Sequence, residues 1–349
     1  MSRQLKRLVL VLAAAVVVEY LVLPQIAGAR RSIHLLSDVN PAWLAAGVLL
    51  EAGAIVAYAQ LTRAMLPPDD RVGLWTTLRI TLSTLGISHV VPGGTAAGAS
   101  LGYRLLTEAN VTGTDAAFAL ATQGVGSAVV LNLLLWIGLV VSIPTRGFNP
   151  LYGTAAVIGT LLLAAFAAAV LLLTKGEDRV AKTVCRVADR LPLLDGEAVS
   201  GALRRWADRL RALADDRALL VRAIGWAAAN WLLDAASLWV FVAAYGHLTV
   251  LDGLLVAYGL AYVLAAIPIT PGGLGVVEAT LTSSLVGFGA VRGVAILGVL
   301  SYRLVNFWLP IPLGGASYVS LRVGRRATRR AKAEALREAA EESIDVKRR

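Results

Sequence analysis

The stretch Ile269–Glu278, ITPGGLGVVE, interrupts one of the most apolar regions of the chain. The segment directly before it, GLLVAYGLAYVLAAIP, is long and apolar enough to enter a bilayer, so a proline, three glycines and a glutamate follow where water is scarce. Non-helical backbone at membrane depth is tolerated only where protein or a water-filled cavity surrounds it. The stretch therefore predicts a break between two membrane-embedded helices that lines a polar cavity.

The composition of the whole chain agrees with a membrane location. Of 349 residues, 57% are hydrophobic and 16% are charged. Segments such as GTAAVIGTLLLAAFAAAVLLL are apolar on every face, whereas the strands of a membrane β-barrel alternate apolar and polar residues. The sequence predicts an all-α polytopic membrane protein.

The side chains available for metal, redox or covalent chemistry are few. A single cysteine, Cys185, excludes a disulfide within the chain, and His34, His89 and His247 occur singly without metal-ligand spacing. The sequence also shows no paired nucleophile and base. We therefore predict no metal, no cofactor and no enzymatic activity, which leaves carboxylates, arginines and backbone groups to carry the function.

Ten apolar segments are predicted to lie in the membrane. The first, Leu8–Ile26, is longer than the apolar part of a typical secretory signal and lacks a clear cleavage site, which favours a retained span. The others are Ala42–Thr62, Leu74–Val91, Ala96–Leu106, Ala116–Ile143, Leu151–Thr174, Leu219–Tyr245, Gly253–Ile269, Leu274–Phe288 and Val294–Leu321.

Two basic regions fix the expected orientation. Residues 175–217 hold ten Lys/Arg and eight Asp/Glu, and residues 322–349 hold ten Lys/Arg and five Asp/Glu. By the positive-inside bias we expect this loop, this tail and the N-terminus to be cytoplasmic, in a bacterial cytoplasmic membrane. The ALRRWADRLRALADDR part of the loop fits either an amphipathic surface helix or a solvated linker. The net charge of +10 therefore faces anionic lipid and does not indicate a nucleic-acid partner.

An internal duplication is visible as two matched blocks. WLAAGVLLEAGAIVAYAQ from Trp43 aligns without gaps with WAAANWLLDAASLWVFVA from Trp226, an offset of 183 residues that pairs Glu51 with Asp234. HVVPGGTAAG and PITPGGLGVV pair Pro92 with Pro271 at an offset of 179. Chance matches are common in apolar sequence, but the order of tryptophan, mid-span acid and Pro-Gly-Gly is the same in both halves.

The crossing count turns this duplication into a topology. If the N-terminus and residues 175–217 are cytoplasmic, residues 74–106 must begin and end inside, and residues 253–288 must begin and end outside. The two Pro-Gly-Gly hairpins, re-entrant or broken, then enter from opposite faces as an inverted-topology repeat. We assign residues 1–321 to one transmembrane domain, with repeat halves at 42–143 and 219–321 and a cytoplasmic tail at 322–349.

The second hairpin tip has a helix-start pattern. Thr270 is a reasonable N-cap, and Pro271 suits the first turn of the helix that leaves the tip. The N–H groups and positive dipole end of that helix would face the cavity, which suits an anion such as phosphate. Gly272, Gly273 and Gly275 would permit unusual backbone angles and close approach.

These motifs also resemble a known family. TPGGLGVVEATL at Thr270–Leu281 and LSYRLVNFWLPIPLG at Leu300–Gly314 resemble the signature of the membrane-embedded domain of lysylphosphatidylglycerol synthetases and their stand-alone, flippase-like relatives. VPGGTAAGASLGYRLL at Val91–Leu106 is similar to the family's first Pro-Gly motif, and the resemblance runs from about Leu8 to Leu321. It implies movement of a lipid or lipid-linked head group between leaflets, without the aminoacyl transfer of the synthetase domain.

The resemblance points to Glu278 and Arg303, both in the motifs, as substrate-site residues. Many relatives carry charged residues after the first Pro-Gly, where this chain has Gly94-Thr95-Ala96 after Pro92 and Gly93, so Arg104 is the nearby candidate. A structural ion pair is the alternative for Glu278 and Arg303, and snorkelling toward the cytoplasmic face is the alternative for Arg104.

Glu51 and Asp234 remain open between two roles, holding helices together and serving as proton or cation sites. Two function classes follow. The first is a transporter for an anionic phospholipid or a polyprenyl-phosphate-linked molecule. The second is a non-transporting scaffold subunit of a cell-envelope or lipid-modifying enzyme complex. A homo-oligomer is compatible with either class.

Overall fold

The computed structural model describes residues 41–68, 71–91, 93–146, 215–266 and 270–324, with isolated helical positions between residues 153 and 168. Within these ranges every regular element is helical, which confirms the all-α prediction. Four of the described helices are long and apolar enough to cross a membrane. The predicted span Leu8–Ile26, most of Leu151–Thr174, most of the 175–217 loop and all but the first residues of the tail lie outside the described residues.

The described ranges contain eight main helices. They are α1 (Pro41–Met65), α2 (Leu74–Val90), α3 (Gly94–Thr107), α4 (Gly113–Arg146), α5 (Arg217–Ala243), α6 (Leu251–Ala265), α7 (Val276–Gly287) and α8 (Arg292–Gly324). The last of these contains a π-helical turn at Leu304–Trp308. The described helices α1, α3, α4 and α8 extend beyond the predicted segments at both ends. The start of α5 is capped by Asp216, whose carboxylate accepts from Leu219 N–H at 2.9 Å.

The order of elements is the same in both halves of the described chain. A long helix, α1 or α5, precedes two short helices joined by a Pro-Gly tip, and a long helix, α4 or α8, follows. This order is the one that the duplication predicts.

The long helices α1 and α5 form the most extensive helix pair and run antiparallel. Ser237 Oγ donates to Gly47 O at 2.9 Å, and Asn230 Nδ2 donates to Ala54 O at 3.0 Å. The offset of 183 residues pairs Gly47 with Asn230 and Ala54 with Ser237, so it converts one bonded residue pair into the other. The two contacts thus lie at equivalent positions of the repeat units, with the donor on α5 in both.

The short hairpins pack reciprocally on the other half. In α2, Gly86 lies against Pro310 and Gly314 of α8, and Arg79 Nη1 donates to Ser320 Oγ at 3.0 Å. In α6, Gly259 lies against Leu135 of α4. Each hairpin therefore packs on the closing long helix of the opposite repeat.

The two hairpins start from opposite ends of the helix bundle. The ends of α1, α3 and α8 meet in a cluster that includes Met65, Leu106, Val111 and Leu321. At the other end Trp239 donates to Thr249 O at 2.8 Å, and Phe288 packs on Gly253. The tips meet between these ends, because Gly272 lies next to His89 at the end of α2. Which end faces the cytoplasm stays a prediction.

Candidate functional site

The second hairpin tip is a 3-10 turn at Pro271–Gly273. Gly272 and Gly273 have φ of +55° and +70°, in the left-handed region that side chains disfavour. A Cβ on Gly272 would come within 2.4 Å of Phe307 Cε2, and one on Gly273 within 2.8 Å of Ala265 Cβ. The backbone here approaches its neighbours as closely as the sequence predicted.

The helix that leaves this tip starts later than the Thr270-Pro271 pattern predicts. Thr270 Oγ1 donates to Leu274 O at 2.8 Å and caps no helix, while α7 begins at Val276 after Gly275, whose φ is +82°. Glu278, the third residue of α7, accepts from Gly275 N–H at 2.7 Å. The Glu278 carboxylate therefore occupies the positive N-terminal end of α7, where the sequence predicted a bound anion. A bound anion would have to compete with this carboxylate for the same N–H groups.

Arg303 is the buried cation beside this carboxylate. Its Nε donates to Glu278 Oε1 at 2.6 Å, and the exposed fractions of the two residues are 2% and 6%. Two longer bonds run from Nη2 to Gly272 O at 3.3 Å and from Nη1 to Asn306 Oδ1 at 3.4 Å. The guanidinium also lies over the Phe307 ring, with Cζ 4.4 Å from the centroid. One short bond and two long ones thus hold the guanidinium in place.

The π-helical turn of α8 contains Phe307, which contacts the first hairpin. Pro310 lacks an N–H, so the helix before it widens, and Leu309 N–H bonds to Leu304 O at 2.9 Å. Within this turn, Phe307 O accepts from Nδ1–H of His89 at 2.9 Å, and the centroids of the stacked His89 and Phe307 rings are 4.4 Å apart. The first hairpin is thereby tied to the second through the turn.

A second group of acids adjoins the ion pair. Asn306 Nδ2 donates to Glu51 Oε1 at 3.0 Å and to Asp234 Oδ1 at 3.2 Å. Tyr302 and Tyr258 donate to the two Asp234 oxygens at 2.7 and 2.6 Å. Asn306 Oδ1 also accepts from Tyr262 at 3.0 Å, and Tyr262 bonds to the Tyr302 hydroxyl. One connected network therefore spans α1, α5, α6, α7 and α8.

Most of the residues predicted in the second half come together. Pro271, Gly272, Gly273, Gly275, Glu278 and Arg303 form the tip and its ion pair, and the mid-membrane acids Glu51 and Asp234 join them through Asn306.

The candidates of the first half are placed differently. Gly93, with φ of +69°, and Gly94, which lies against the Ser88 backbone, form the other tip, and Pro92 lies outside the described residues. Arg104 stands apart from the network, because its half-exposed side chain pairs with Glu108 at 2.8 Å on the surface of α3.

The polar network contains side chains that the sequence analysis did not single out: His89, Tyr258, Tyr262, Tyr302, Asn306 and Phe307. A usable signal was present in the helical spacing. Tyr258 and Tyr262, and likewise Tyr302 and Asn306, are four residues apart and so share one face of an otherwise apolar helix. Polar groups repeated on one face of a membrane helix indicate an inward-facing network.

The centre of the network is closed in this structure. Glu51, Asp234, Glu278 and Arg303 are each exposed by 6% or less. A cavity of about 530 Å³ lies instead at the end of the bundle near Met65, Arg71 and Arg222, and none of these four side chains lines it. Within the described residues no group of three or more His, Cys, Asp and Glu side chains is suited to a metal ion.

The fold and its polar core define an integral membrane protein with paired broken-helix hairpins. The chain belongs to the family described as the lysylphosphatidylglycerol synthase TM region, whose model matches residues 8–314. This assignment confirms the resemblance drawn from the Pro-Gly motifs, and it concerns the membrane part of those synthases.

Two curated relatives match over shorter stretches. An uncharacterized protein of Synechocystis sp. is 38% identical over 95 residues, which is 27% of this chain and 28% of the relative. A UPF0104 membrane protein of Pyrococcus horikoshii is 27% identical over 120 residues, which is 34% of this chain and 36% of the relative. The matches thus span about a third of each relative's length.

Proposed function

We propose that this chain is a transporter that moves an anionic lipid between membrane leaflets, either a phospholipid or a polyprenyl-phosphate-linked molecule. The observation that carries the proposal is the buried Arg303, held where the tips of two opposed hairpins meet. A charge at mid-membrane costs about 2.5–3.5 kcal/mol on insertion scales, and such residues mark substrate pathways. If both termini and residues 175–217 are cytoplasmic as predicted, their basic residues would lie beside the anionic inner leaflet.

The bonds of Arg303 suit exchange with a phosphate. A guanidinium presents five N–H donors in a planar fork that matches phosphate oxygens. The long bonds to Gly272 O and Asn306 Oδ1 are the weaker ones, so an incoming phosphate would displace them first while the short Glu278 bond orients the fork. Glu278 therefore serves in this proposal as a positioning residue.

Entry of a head group would require the tips to part. The contacts that close the site are the His89 ring on Phe307 and the Gly272 backbone against both rings. The contacts of His89 with Phe307 and with Gly272 lie between the two halves, whereas Gly272 and Phe307 both belong to the second half. Separation of the hairpins would break the His89 contacts without unfolding either helix pair. The closed structure would then be the occluded member of a transport cycle.

One observation favours the scaffold alternative. The three acids and the arginine of the network are buried, and apolar side chains such as Leu49 and Val140 are 71% and 65% exposed on the lateral surface. A sealed polar core with an apolar exterior would also serve a subunit that only holds partner proteins. The two readings differ in whether the purified protein moves lipid.

The test is reconstitution of the purified full chain into vesicles that contain fluorescent phosphatidylglycerol, phosphatidylcholine or a polyprenyl-phosphate lipid in both leaflets. Quenching of the outer leaflet measures exchange between leaflets. The transporter predicts accelerated exchange of an anionic lipid that Arg303→Ala removes and Arg292→Ala, an exposed change on the same helix, retains. Exchange no faster than in empty vesicles for every lipid supports the scaffold.

A further inference from the structure

The charges of the buried network do not balance. Among the described residues, the network contains three acids, Glu51, Asp234 and Glu278, and one guanidinium, Arg303, and all four side chains are buried. The short bond to Glu278 assigns the positive charge to that carboxylate. Two ionised carboxylates left together without a cation at this depth would carry a desolvation penalty of several kcal/mol each. Glu51 and Asp234 therefore cannot both be ionised at low cost.

The geometry of the two carboxyl groups is specific. Asn306 Nδ2 donates to both of them, to Glu51 Oε1 at 3.0 Å and to Asp234 Oδ1 at 3.2 Å, so the two carboxyl groups lie side by side where α1 meets α5. Asp234 accepts from Tyr258, Tyr302 and Asn306, so both of its oxygens have donors. Glu51 accepts from Asn306 through Oε1, but its Oε2 is buried without any donor. Two facing carboxyl groups can bond to each other only when one of them is protonated.

The surrounding groups suit a proton rather than a metal ion. The two tyrosine hydroxyls and the Asn306 amide direct hydrogens toward the acids, whereas a bound cation requires oxygen atoms that face it. The donors on Asp234 favour its ionised form, and the bare Oε2 marks Glu51 as the protonated partner.

We propose that Glu51 and Asp234 form a proton-binding site at the seam between the two repeat halves, in which Glu51 donates its proton to the Asp234 carboxylate. Release of this proton leaves two facing negative charges between α1 and α5 and weakens the seam. The proton site stands on the geometry of the acids, and its coupling to lipid movement rests on the proposed function.

The proton site is linked to the proposed lipid site through Asn306. Because Asn306 bonds to both acids and to Arg303, a movement of the acids would also move the guanidinium. Among the described residues, the charged and titratable groups near the pair are Arg303 and Tyr302 from α8 and Tyr258 and Tyr262 from α6. The duplication pairs Glu51 with Asp234, so the proton site is formed by equivalent residues of α1 and α5, one from each repeat half.

The decisive measurement is infrared difference spectroscopy of the purified full chain in detergent at neutral pH. We expect the carbonyl band of a protonated carboxylic acid that shifts in heavy water and disappears in Glu51→Gln. The exposed carboxyl change Asp215→Asn, just before α5, should leave the band in place. Absence of the band in the wild type, or its persistence at full intensity in Glu51→Gln, would overturn the proposal.

Thermal unfolding as a function of pH provides a second measurement that requires no lipid cargo. A proton bound only by the folded protein stabilises it where the site is occupied, and that stabilisation is lost as pH rises through release. The melting temperature of the wild type should fall over this range, and Glu51→Gln should remove most of the fall because its amide needs no proton. Parallel curves for the wild type, Glu51→Gln and Asp215→Asn would argue against the site.

Coupling is read separately in the vesicle assay. A proton-coupled carrier should show a lipid exchange rate that changes at least several-fold with pH in the wild type and much less in Glu51→Gln. If the infrared band is present and no lipid moves, the proton site stands and the transport proposal fails. If lipid moves at a rate independent of pH, coupling is refuted.

Discussion

The ion pair of Glu278 and Arg303 separates a transport role from a structural one when the two charges are removed singly and together. In a structural pair, Arg303→Ala leaves Glu278 buried without its counter-charge, and among the described residues the Gly275 N–H remains as its donor. Glu278→Gln leaves Arg303 buried beside an uncharged amide. In the double variant neither charge remains, so a structural role predicts recovery of stability.

The contacts set the expected size of each effect. Breaking a buried pair by removing one partner costs about 3–5 kcal/mol in soluble proteins. Arg303→Ala also loses the stacking on Phe307, which at a desolvated site contributes about 2 kcal/mol. Glu278→Gln retains the shape and an acceptor oxygen for Gly275 N–H, so we expect its loss to lie at the lower end of the range.

Two assays on the same preparations measure the two roles. Melting temperature in detergent reports stability, and exchange of fluorescent phosphatidylglycerol in vesicles reports transport. If Arg303 binds the phosphate, Arg303→Ala and the double variant should both lose exchange even where the double variant melts like the wild type. Glu278→Gln should slow turnover more than it weakens binding. Wild-type exchange in both single variants would refute the site assignment.

Three further predictions test the tip, the network and the topology. Gly272→Val should abolish exchange without preventing membrane insertion, because the new side chain meets Phe307 at a positive φ, and normal exchange would remove the tip from the mechanism. Tyr302→Phe removes one of three donors to Asp234 and should lower stability by about 1.5–3 kcal/mol, the range for bonds to charged groups, whereas an unchanged melting temperature would contradict that contact. Single cysteines in a Cys185→Ser background should label from the cytoplasmic side at Asn110 and from the outside at His247, and labelling of both from one side would refute the opposed hairpins.

The sequence predicted the class, the order of elements and the charged pair because these depend on local patterns. Apolar length identifies spans, and Pro-Gly-Gly within an apolar run identifies a break. The duplication placed Glu51 opposite Asp234 in an alignment, and in the structure the same two residues both accept from Asn306. A repeat that packs on itself makes such an alignment informative about space.

The sequence could not place the start of α7 or the π-helical turn. At the start of α7, Glu278 accepts from Gly275 N–H, whereas Thr270 donates to Leu274 O. At the π-helical turn, His89 of the first half donates to Phe307 O. Neither choice of hydrogen-bond partner is determined by the local sequence alone. Arg104, the candidate near the first tip, lies apart from the network because it pairs with its i,i+4 neighbour Glu108, and its role in substrate binding stays a prediction.

The two halves share a scaffold but divide its charges unequally. The offset of 179 residues that pairs the Pro-Gly tips places Ala99 opposite Glu278 and Gly124 opposite Arg303, so the ion pair belongs to the second half only. Glu51 and Asp234, by contrast, occupy equivalent positions and meet where the repeats exchange. Such a carrier would hold its cargo at the Glu278–Arg303 pair, which has no counterpart in the first half. Glu51 and Asp234 would control which face of the membrane the site opens to, because they join equivalent positions of the two halves. The asymmetric pair and the symmetric pair are joined by Asn306, so replacement of that one amide should separate lipid binding from the response to protons.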